Sequence, residues 1–323
     1  MYRIGVDLGG TNIAVGLVNE KIEIISKKST PTIAERPNEE IVADIAKLCN
    51  EVCTEAGIAI ADVESVGIAS PGLVDQESGM VVYSNNLGMR EFPMIPLLRE
   101  RIGTTNIYLE NDANAAAWGE VVVGAAKGCR NAIMITLGTG VGGGIIADGK
   151  IYKGFNSAGG ELGHTVICVD GRPCTCGRRG CWETYSSATG LIKTTKEKLD
   201  ECEKAGRPTK MTDLIAEKGK LNGRTAFDAM RAGDEAGTQV VEEYTKYLAI
   251  GLANMINIFQ PEVILIGGGI SNEGQTLVDL LFPEVKKQTY GSAYAPNSAI
   301  RIAALKNDAG IIGAAALGLE LSV

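Results

Sequence analysis

The sequence predicts an α/β fold with mixed sheets, divided between two domains. Three observations predict it. Strand patterns alternate with helical patterns, a strand–glycine turn–strand pattern occurs twice, and 323 residues exceed what one core needs. Residues 2–8 read as a buried strand, Gly9-Gly10 as a turn, and residues 12–19 as its hairpin partner. A third strand is expected over 22–28. Pro37-Asn38 opens a helix in which Ile41, Ile45, Leu48, Val52 and Ala56 recur at helical spacing until Gly57 stops it.

Residues 63–69 and 106–109 read as strands, and Asp112 is expected to cap a helix through Ala115, Ala116 and Trp118. At Ala132 the opening pattern returns. Residues 132–137 are a strand, Gly138-Thr139-Gly140 a turn, and 141–147 a second strand. An irregular stretch rich in glycine and cysteine lies between Tyr152 and Tyr185, and helices follow it. The longest covers 234–259, with Val240, Tyr244, Leu248, Leu252, Met255 and Phe259 on one broad face, and Pro261 ends it. A strand over 262–266 leads into Gly267-Gly268-Gly269. A last strand over 299–304 precedes a small-residue helix from Asp308. A cleft between two such domains is the expected place for a ligand.

Composition narrows the function classes. Hydrophobic residues at 45% and charged residues at 22% indicate a globular rather than a disordered chain. A net charge of -8 with no basic tail argues against nucleic-acid binding. The opening MYRIGVDLGG has no basic start, apolar run and cleavage site, and the most apolar stretch, 132–147, is interrupted by glycine and threonine. The expectation is a cytoplasmic protein without a membrane segment. Reduced thiols fit that compartment, and Cys49, Cys53, Cys129, Cys168 and Cys202 read as scattered, mostly buried cysteines.

Five motifs carry chemistry. In Asp7-Leu8-Gly9-Gly10-Thr11-Asn12, two glycines in a hairpin leave N–H groups bare for a phosphate, Thr11 adds a hydroxyl, and Asp7 is placed to hold Mg²⁺ directly or through water. A plain tight turn would look the same, so the second copy matters. Gly138-Thr139-Gly140-Val141-Gly142-Gly143-Gly144 lacks the Lys of a Walker loop and opens no helix, so it too is a strand–turn–strand run. Two such turns facing each other would clamp a polyphosphate. Gly267-Gly268-Gly269-Ile270-Ser271 would let an adenine or ribose approach flat backbone, or would simply be a loop. In Glu110-Asn111-Asp112-Ala113-Asn114, Asp112 is either a helix cap or the general base that accepts a proton from an attacking hydroxyl. Asn111 can both donate to and accept from neighbouring hydroxyls.

The fifth motif is the most specific. His164 is the only histidine, and ten residues later comes Cys174-Thr175-Cys176-Gly177-Arg178-Arg179-Gly180-Cys181. Three thiolates and one imidazole form a closed tetrahedral set suited to structural zinc, with no position open for catalysis. Glu161 and Glu183 flank the loop, and carboxylates accept hydrogen bonds from sugar hydroxyls. A metal-bound histidine keeps one ring N–H to donate, and that N–H can reach a sugar.

Together these motifs resemble the ROK family (repressor, open reading frame, kinase) of the hexokinase and actin-like superfamily. The resemblance covers essentially the whole chain, from Asp7-Leu8-Gly9-Gly10-Thr11 to Asp308-Ala309-Gly310-Ile311-Ile312-Gly313-Ala314-Ala315. Cys174-x-Cys176-Gly177-x-x-Gly180-Cys181-x-Glu183 is highly specific to it, and Glu110-Asn111-Asp112-Ala113-Asn114-Ala115-Ala116 resembles its glucose-kinase members. The resemblance implies a two-domain actin-like (ribonuclease H-like) fold, with a small domain of 1–112 plus about 305–323 and a large domain of 113–304 carrying the zinc loop 164–183.

It also implies ATP-dependent phosphorylation of the glucose 6-hydroxyl, with Asp112 as the base and Gly72, Asn86, Asn111, Glu161, His164 and Glu183 around the sugar. Asn86 matches the family's Asn-Leu segment, here Asn86-Leu87. Gly9, Gly10, Thr11, Asn12 and Thr139, with Gly138 and Gly140 beside it, would meet phosphates, and Gly268 and Gly269 the adenosine. Mg²⁺ would accompany ATP, and the assembly would be a dimer or tetramer. Many members carry lysine where Asn12 stands, so here Mg²⁺ and backbone must offset the phosphate charge. A kinase for N-acetylglucosamine, N-acetylmannosamine, mannose or fructose would share every motif, and the glycine turns also tolerate ADP or polyphosphate as donor. Family repressors add a helix-turn-helix ahead of this core, and none is expected here.

Overall fold

The computed structural model describes residues 1–104 and 106–321. Residues 322 and 323, part of the expected small domain, lie outside the described residues. The first half of the chain forms β1 (Tyr2–Leu8), β2 (Asn12–Val18), β3 (Ile24–Pro31), α1 (Asn38–Glu55), β4 (Val63–Ser70), β5 (Leu73–Asp75), β6 (Met80–Ser84), β7 (Met89–Phe92), α2 (Met94–Ile102), β8 (Ile107–Asn111) and α3 (Asp112–Val122). Then come β9 (Ala132–Leu137), β10 (Val141–Ala147), β11 (Lys150–Ile151), α4 (Glu183–Ser186), α5 (Ala188–Lys204), α6 (Lys210–Lys218), α7 (Thr225–Arg231), α8 (Glu235–Phe259), β12 (Val263–Gly267), α9 (Gln275–Gln288), β13 (Ala299–Ile302) and α10 (Ala309–Ala315). Packing divides the chain into two units. One comprises 1–134, 144–160 and the chain from Ala304 onward, and the other comprises 135–143 and 161–303.

In the first unit a five-stranded sheet has the order β3-β2-β1-β4-β8. β1 pairs antiparallel with β2, with Asp7 opposite Ala14, and parallel with β4, which in turn pairs parallel with β8. Alternation along β1 puts Ile4, Val6 and Leu8 on one face, where they share a core with Ile41, Ile45, Leu48 and Val52 of α1. Each such side chain, once fully buried, contributes about 1.5–3 kcal/mol. The opposite face carries Gly5, and here the small-residue helix finds its reason. A Cβ on Gly5 would fall 1.9 Å from the Ile311 carbonyl oxygen, and one on Gly67 1.8 Å from that of Ala314. α10 lies directly on strand backbone, so alanine at either glycine would force it off the sheet.

The outer edge of β8 is closed by a side chain. Gln76 accepts from the Leu109 N–H and donates to the Ile107 carbonyl, so its amide substitutes for a neighbouring strand. β5, β6 and β7 form a separate antiparallel sheet that the sequence pattern did not predict. Strands of three to five residues are too short to show alternation. The third strand starts at Ile24 rather than residue 22, because the Asn19 side chain accepts from the Lys21 and Glu23 N–H groups and turns the chain through Ile22 at φ 61°.

A second five-stranded sheet has the order β11-β10-β9-β12-β13, with β12 and β13 parallel. β12 is buried throughout. α8 is capped by Asp234, whose carboxylate accepts from the Gly237 N–H at 2.7 Å, and it ends at Gln260 in the left-handed conformation just before Pro261. Gly251 in its middle makes room for the fully buried Trp182 indole, since a Cβ there would stand 1.9 Å from the ring. No described helix is long and apolar enough to cross a membrane.

Candidate active site

β8 runs into α3 with no intervening loop, so three polar residues in a row meet at the junction. Asn111, not Asp112, caps the helix. Its backbone is extended, and its Oδ1 accepts from the N–H groups of Ala113 at 2.9 Å and Asn114 at 3.2 Å. This corrects the expectation that Asp112 caps α3, because a cap precedes the first helical residue and Asp112 is that residue. The Asn111 side chain also donates to the Gly72 carbonyl at 3.1 Å. Asp112 accepts from the Ala113 N–H at 2.8 Å through one oxygen. Burial holds its carboxyl above the usual range, against the pull of the Ala113 N–H. Behind it the buried Glu110 accepts from the Asn111 N–H at 3.0 Å and Asn114 Nδ2 at 3.1 Å, and pairs with Lys153 Nζ at 2.5 Å.

The first glycine turn lies in the same unit. The Gly9 N–H donates to the Asn12 carbonyl at 2.9 Å. Thr32 secures the turn from β3's end, its N–H on the Thr11 carbonyl at 2.8 Å and its hydroxyl on the Gly9 carbonyl at 2.6 Å. Gly10, Thr11 and Asn12 are exposed. A Cβ on Gly10 would come within 3.4 Å of the Asn86 Cβ, so the turn carrying Asn86 lies beside it. Asp7, just before the turn, has its carboxyl pushed up to about 6 by burial first and then by the Asp112 charge, with Lys27 opposing. The structure therefore brings Asp7, Gly10, Asn86 and Asp112 into one neighbourhood, with Asn111 tied to Gly72.

In the second unit the Gly138 N–H donates to the Gly140 carbonyl at 3.1 Å, and Thr139 is exposed. The Ala188 N–H and the Thr189 hydroxyl each hold one carbonyl of the turn, at 2.8 Å. Glu183 accepts from the Val141 N–H at 3.0 Å, and Gly140 is glycine because a Cβ would sit 2.2 Å from that carboxylate. Gly268, at φ 80°, backs onto the Leu137 backbone, whereas Gly269 faces open space. Glu161 is exposed and precedes a short 3-10 turn ending at His164.

The donor atoms of His164, Cys174, Cys176 and Cys181 lie within 4.8 Å of one another. Cys174 Sγ stands 3.7 Å from His164 Nδ1, and Cys176 Sγ 3.6 Å from Cys181 Sγ. Gly177 and Gly180 take positive φ, which lets the loop fold back so that the Cys174 N–H reaches the Arg178 carbonyl at 2.9 Å. Burial pushes the Cys181 thiol up to about 12, while the Arg178 N–H, joined by the Cys174 thiol, draws Cys176 down to about 6. This is a candidate metal site, and Cys174 Sγ also lies 3.9 Å from Glu183 Oε1.

The sequence model of the ROK family matches residues 3–320. The chain belongs to the ROK family. It is 36% identical to the glucokinase of Halalkalibacterium halodurans over 97% of this chain and 93% of that one. It is also 36% identical to the glucokinase of Thermotoga maritima, over 97% and 96%. Among solved structures, a ROK family glucokinase from Streptomyces griseus in complex with glucose and AMPPNP superposes with a TM-score of 0.79 at 34% identity, covering 98% of this chain and 99% of that one.

Reasoning from the ROK sequence alone missed three supporting residues: Thr32, Gln76 and Lys153. A threonine at a strand end and a lone lysine in a loop carry no signal of their own. Each matters only through a partner 23 to 43 residues away in this chain, and Lys153 meets Glu110 only once the fold is formed.

Proposed function

We propose that this ROK protein is an ATP-dependent glucokinase, transferring the γ-phosphoryl group of Mg·ATP to the 6-hydroxyl of glucose to give glucose 6-phosphate and ADP. The observation that carries the reading is the head of α3. Asn111 takes over the capping, so the partly buried Asp112 keeps a carboxylate oxygen for chemistry. Asp112 accepts the proton of the 6-hydroxyl as that oxygen attacks phosphorus in line and the bond to ADP breaks. A carboxyl raised above its ordinary range is a better match to a hydroxyl proton.

Gly72, Asn86, Asn111, Glu161, His164 and Glu183 hold the sugar. Gly10, Thr11 and Asn12, with Thr139 and Gly140, offer N–H groups and hydroxyls to phosphates, in turns that the Gly9 and Gly138 N–H groups close and where neither glycine has a side chain in the way. Gly268 and Gly269 take the adenosine, where Gly269 leaves space. Mg²⁺, bound with ATP, neutralises phosphate charge. Asp7 would hold it through water, and a carboxyl with no strong cationic partner suits that task.

Zinc is the metal that best fits the Cys/His cluster. Around a tetrahedral zinc two thiolates stand about 3.8 Å apart, and a thiolate and an imidazole nitrogen about 3.6 Å apart, close to the 3.6 Å between Cys176 and Cys181 and the 3.7 Å between Cys174 and His164. Four protein ligands leave no open position, so the ion is structural. With His164 Nδ1 turned to Cys174, Nε2 is left to hydrogen-bond the sugar. The enzyme is expected to be a cytoplasmic dimer or tetramer, which sedimentation would measure.

The test is ADP release from Mg·ATP across glucose, mannose, fructose, N-acetylglucosamine and N-acetylmannosamine. The expected result is a glucose preference in kcat/KM of about 100-fold, or about 2.7 kcal/mol. Equal or faster turnover of an N-acetyl sugar would reassign the substrate, and no turnover of any hexose would overturn the kinase reading.

A further inference from the structure

We propose that Lys153 is a positioning residue for the catalytic turn: through Glu110 it fixes the strand-to-helix junction that presents Asn111 and Asp112. The inference rests on the reading of Asp112 as the base. Glu110 is only 2% exposed, and both its oxygens are used. One accepts from the Asn111 N–H and Asn114 Nδ2, and the other meets the Lys153 ammonium at 2.5 Å. Asn111 is thus held from three sides: by Glu110 at its N–H, by its own capping bonds, and by the Gly72 carbonyl.

Lys153 is itself held firmly. The preceding Tyr152 N–H donates to the Ile145 carbonyl at 2.8 Å, which continues the β10–β11 pairing. The Lys153 carbonyl then accepts from the Gly159 N–H at 2.8 Å and closes a loop whose tip, Phe155, is fully exposed. The ammonium is therefore delivered to Glu110 from a fixed backbone. The Lys153 side chain is 35% exposed but that of Glu110 only 3%, so removing the ammonium leaves a buried carboxylate uncompensated, whereas neutralising both costs little. Without Lys153, the Glu110 carboxylate would have to turn toward water and release Asn111 and Asn114. The base would then lose its aim, although no residue in contact with substrate had changed.

A cycle of variants tests this: Lys153→Met, Glu110→Gln, the double variant, Lys153→Arg, and Asp112→Asn in parallel. Each is assayed for kcat per folded active site, glucose and Mg·ATP affinity, and folded fraction. Lys153→Met should lower kcat by about 10- to 100-fold, the cost of a misplaced catalytic group, with Mg·ATP affinity within about threefold. Lys153→Arg should recover most of that loss.

In the Glu110→Gln background, where the amide oxygen still accepts both N–H groups, adding Lys153→Met should change kcat by less than about twofold, because Lys153 acts only on the charge of Glu110. That comparison decides the matter even where Lys153→Met alone fails to fold. A kcat for Lys153→Met within about twofold of the parent, or a further drop of about tenfold on adding it to Glu110→Gln, would overturn the proposal. Near-normal turnover of Asp112→Asn would instead overturn the reading beneath it.

Discussion

The two glycine turns share a plan and differ in what supports them. The turn between β1 and β2 is tied to its own sheet by Thr32 and is preceded by a carboxylate, Asp7, that burial and the Asp112 charge push up to about 6. The turn between β9 and β10 has Thr136 at the place equivalent to Asp7 and no carboxylate of its own. It borrows one from Glu183, which follows the Cys/His loop by two residues, and it is pinned further by Ala188 and Thr189. On the proposed reading the two hairpins serve different tasks: one would keep a negative charge for a cation, and the other is anchored to a cluster that a metal would make rigid.

Of the two turns, the first should show the larger effect. Asp7→Asn should lower kcat/KM by about 100-fold, in the range of a lost charged catalytic group. It should at the same time stabilise the free protein. The Asp7 carboxyl is raised from 3.8 to about 6 in the fold, so the folded state binds the proton more tightly than the unfolded one. Stability is therefore lost as pH rises through that interval. Removing the charge should add up to about 3 kcal/mol above pH 6 and nothing below about pH 4. Thermal midpoints of both proteins across pH would show this, and parallel curves would contradict it.

The second turn should break differently. Cys181→Ser, measured with Mg²⁺ in excess, should abolish a zinc content of about one ion per chain and lower kcat/KM by about 10-fold through Glu183. It should leave the pH dependence contributed by Asp7 untouched. Zinc affinity should fall as pH falls, since the buried Cys181 thiol must give up its proton to bind metal.

The smallest effects compare the pins themselves. Thr32 is fully buried and Thr189 exposed. Thr32→Val should cost about 1–2 kcal/mol and Thr189→Val under about 1 kcal/mol in urea denaturation. The reverse order would mean that the second turn depends on its hydroxyl more than on Glu183.

Much of this was legible in the sequence because the signals are local. Apolar runs closed by glycine turns, at residues 2–8 and 132–137, marked the two hairpin strands, and the spacing from His164 to Cys181 marked the cluster. The cap at Asn111 was misplaced by one residue, because Asn and Asp have the same cap chemistry and only the φ and ψ of residue 111 separate them. Glu183 was visible as a neighbour of the cysteines but not as the partner of Val141, 42 residues away. Glycines were visible as glycines. Which of them admit a ligand and which admit backbone, as Gly268 admits Leu137, depends on what the fold brings against them.

The most direct test of the central claim is Asp112→Asn, with glucose and Mg·ATP binding measured beside kcat. An amide there still accepts from the Ala113 N–H but takes up no proton. The account predicts a folded protein that binds both substrates and loses about 10²- to 10⁴-fold in kcat. Turnover within a few-fold of the parent would show that Asp112 is not the base.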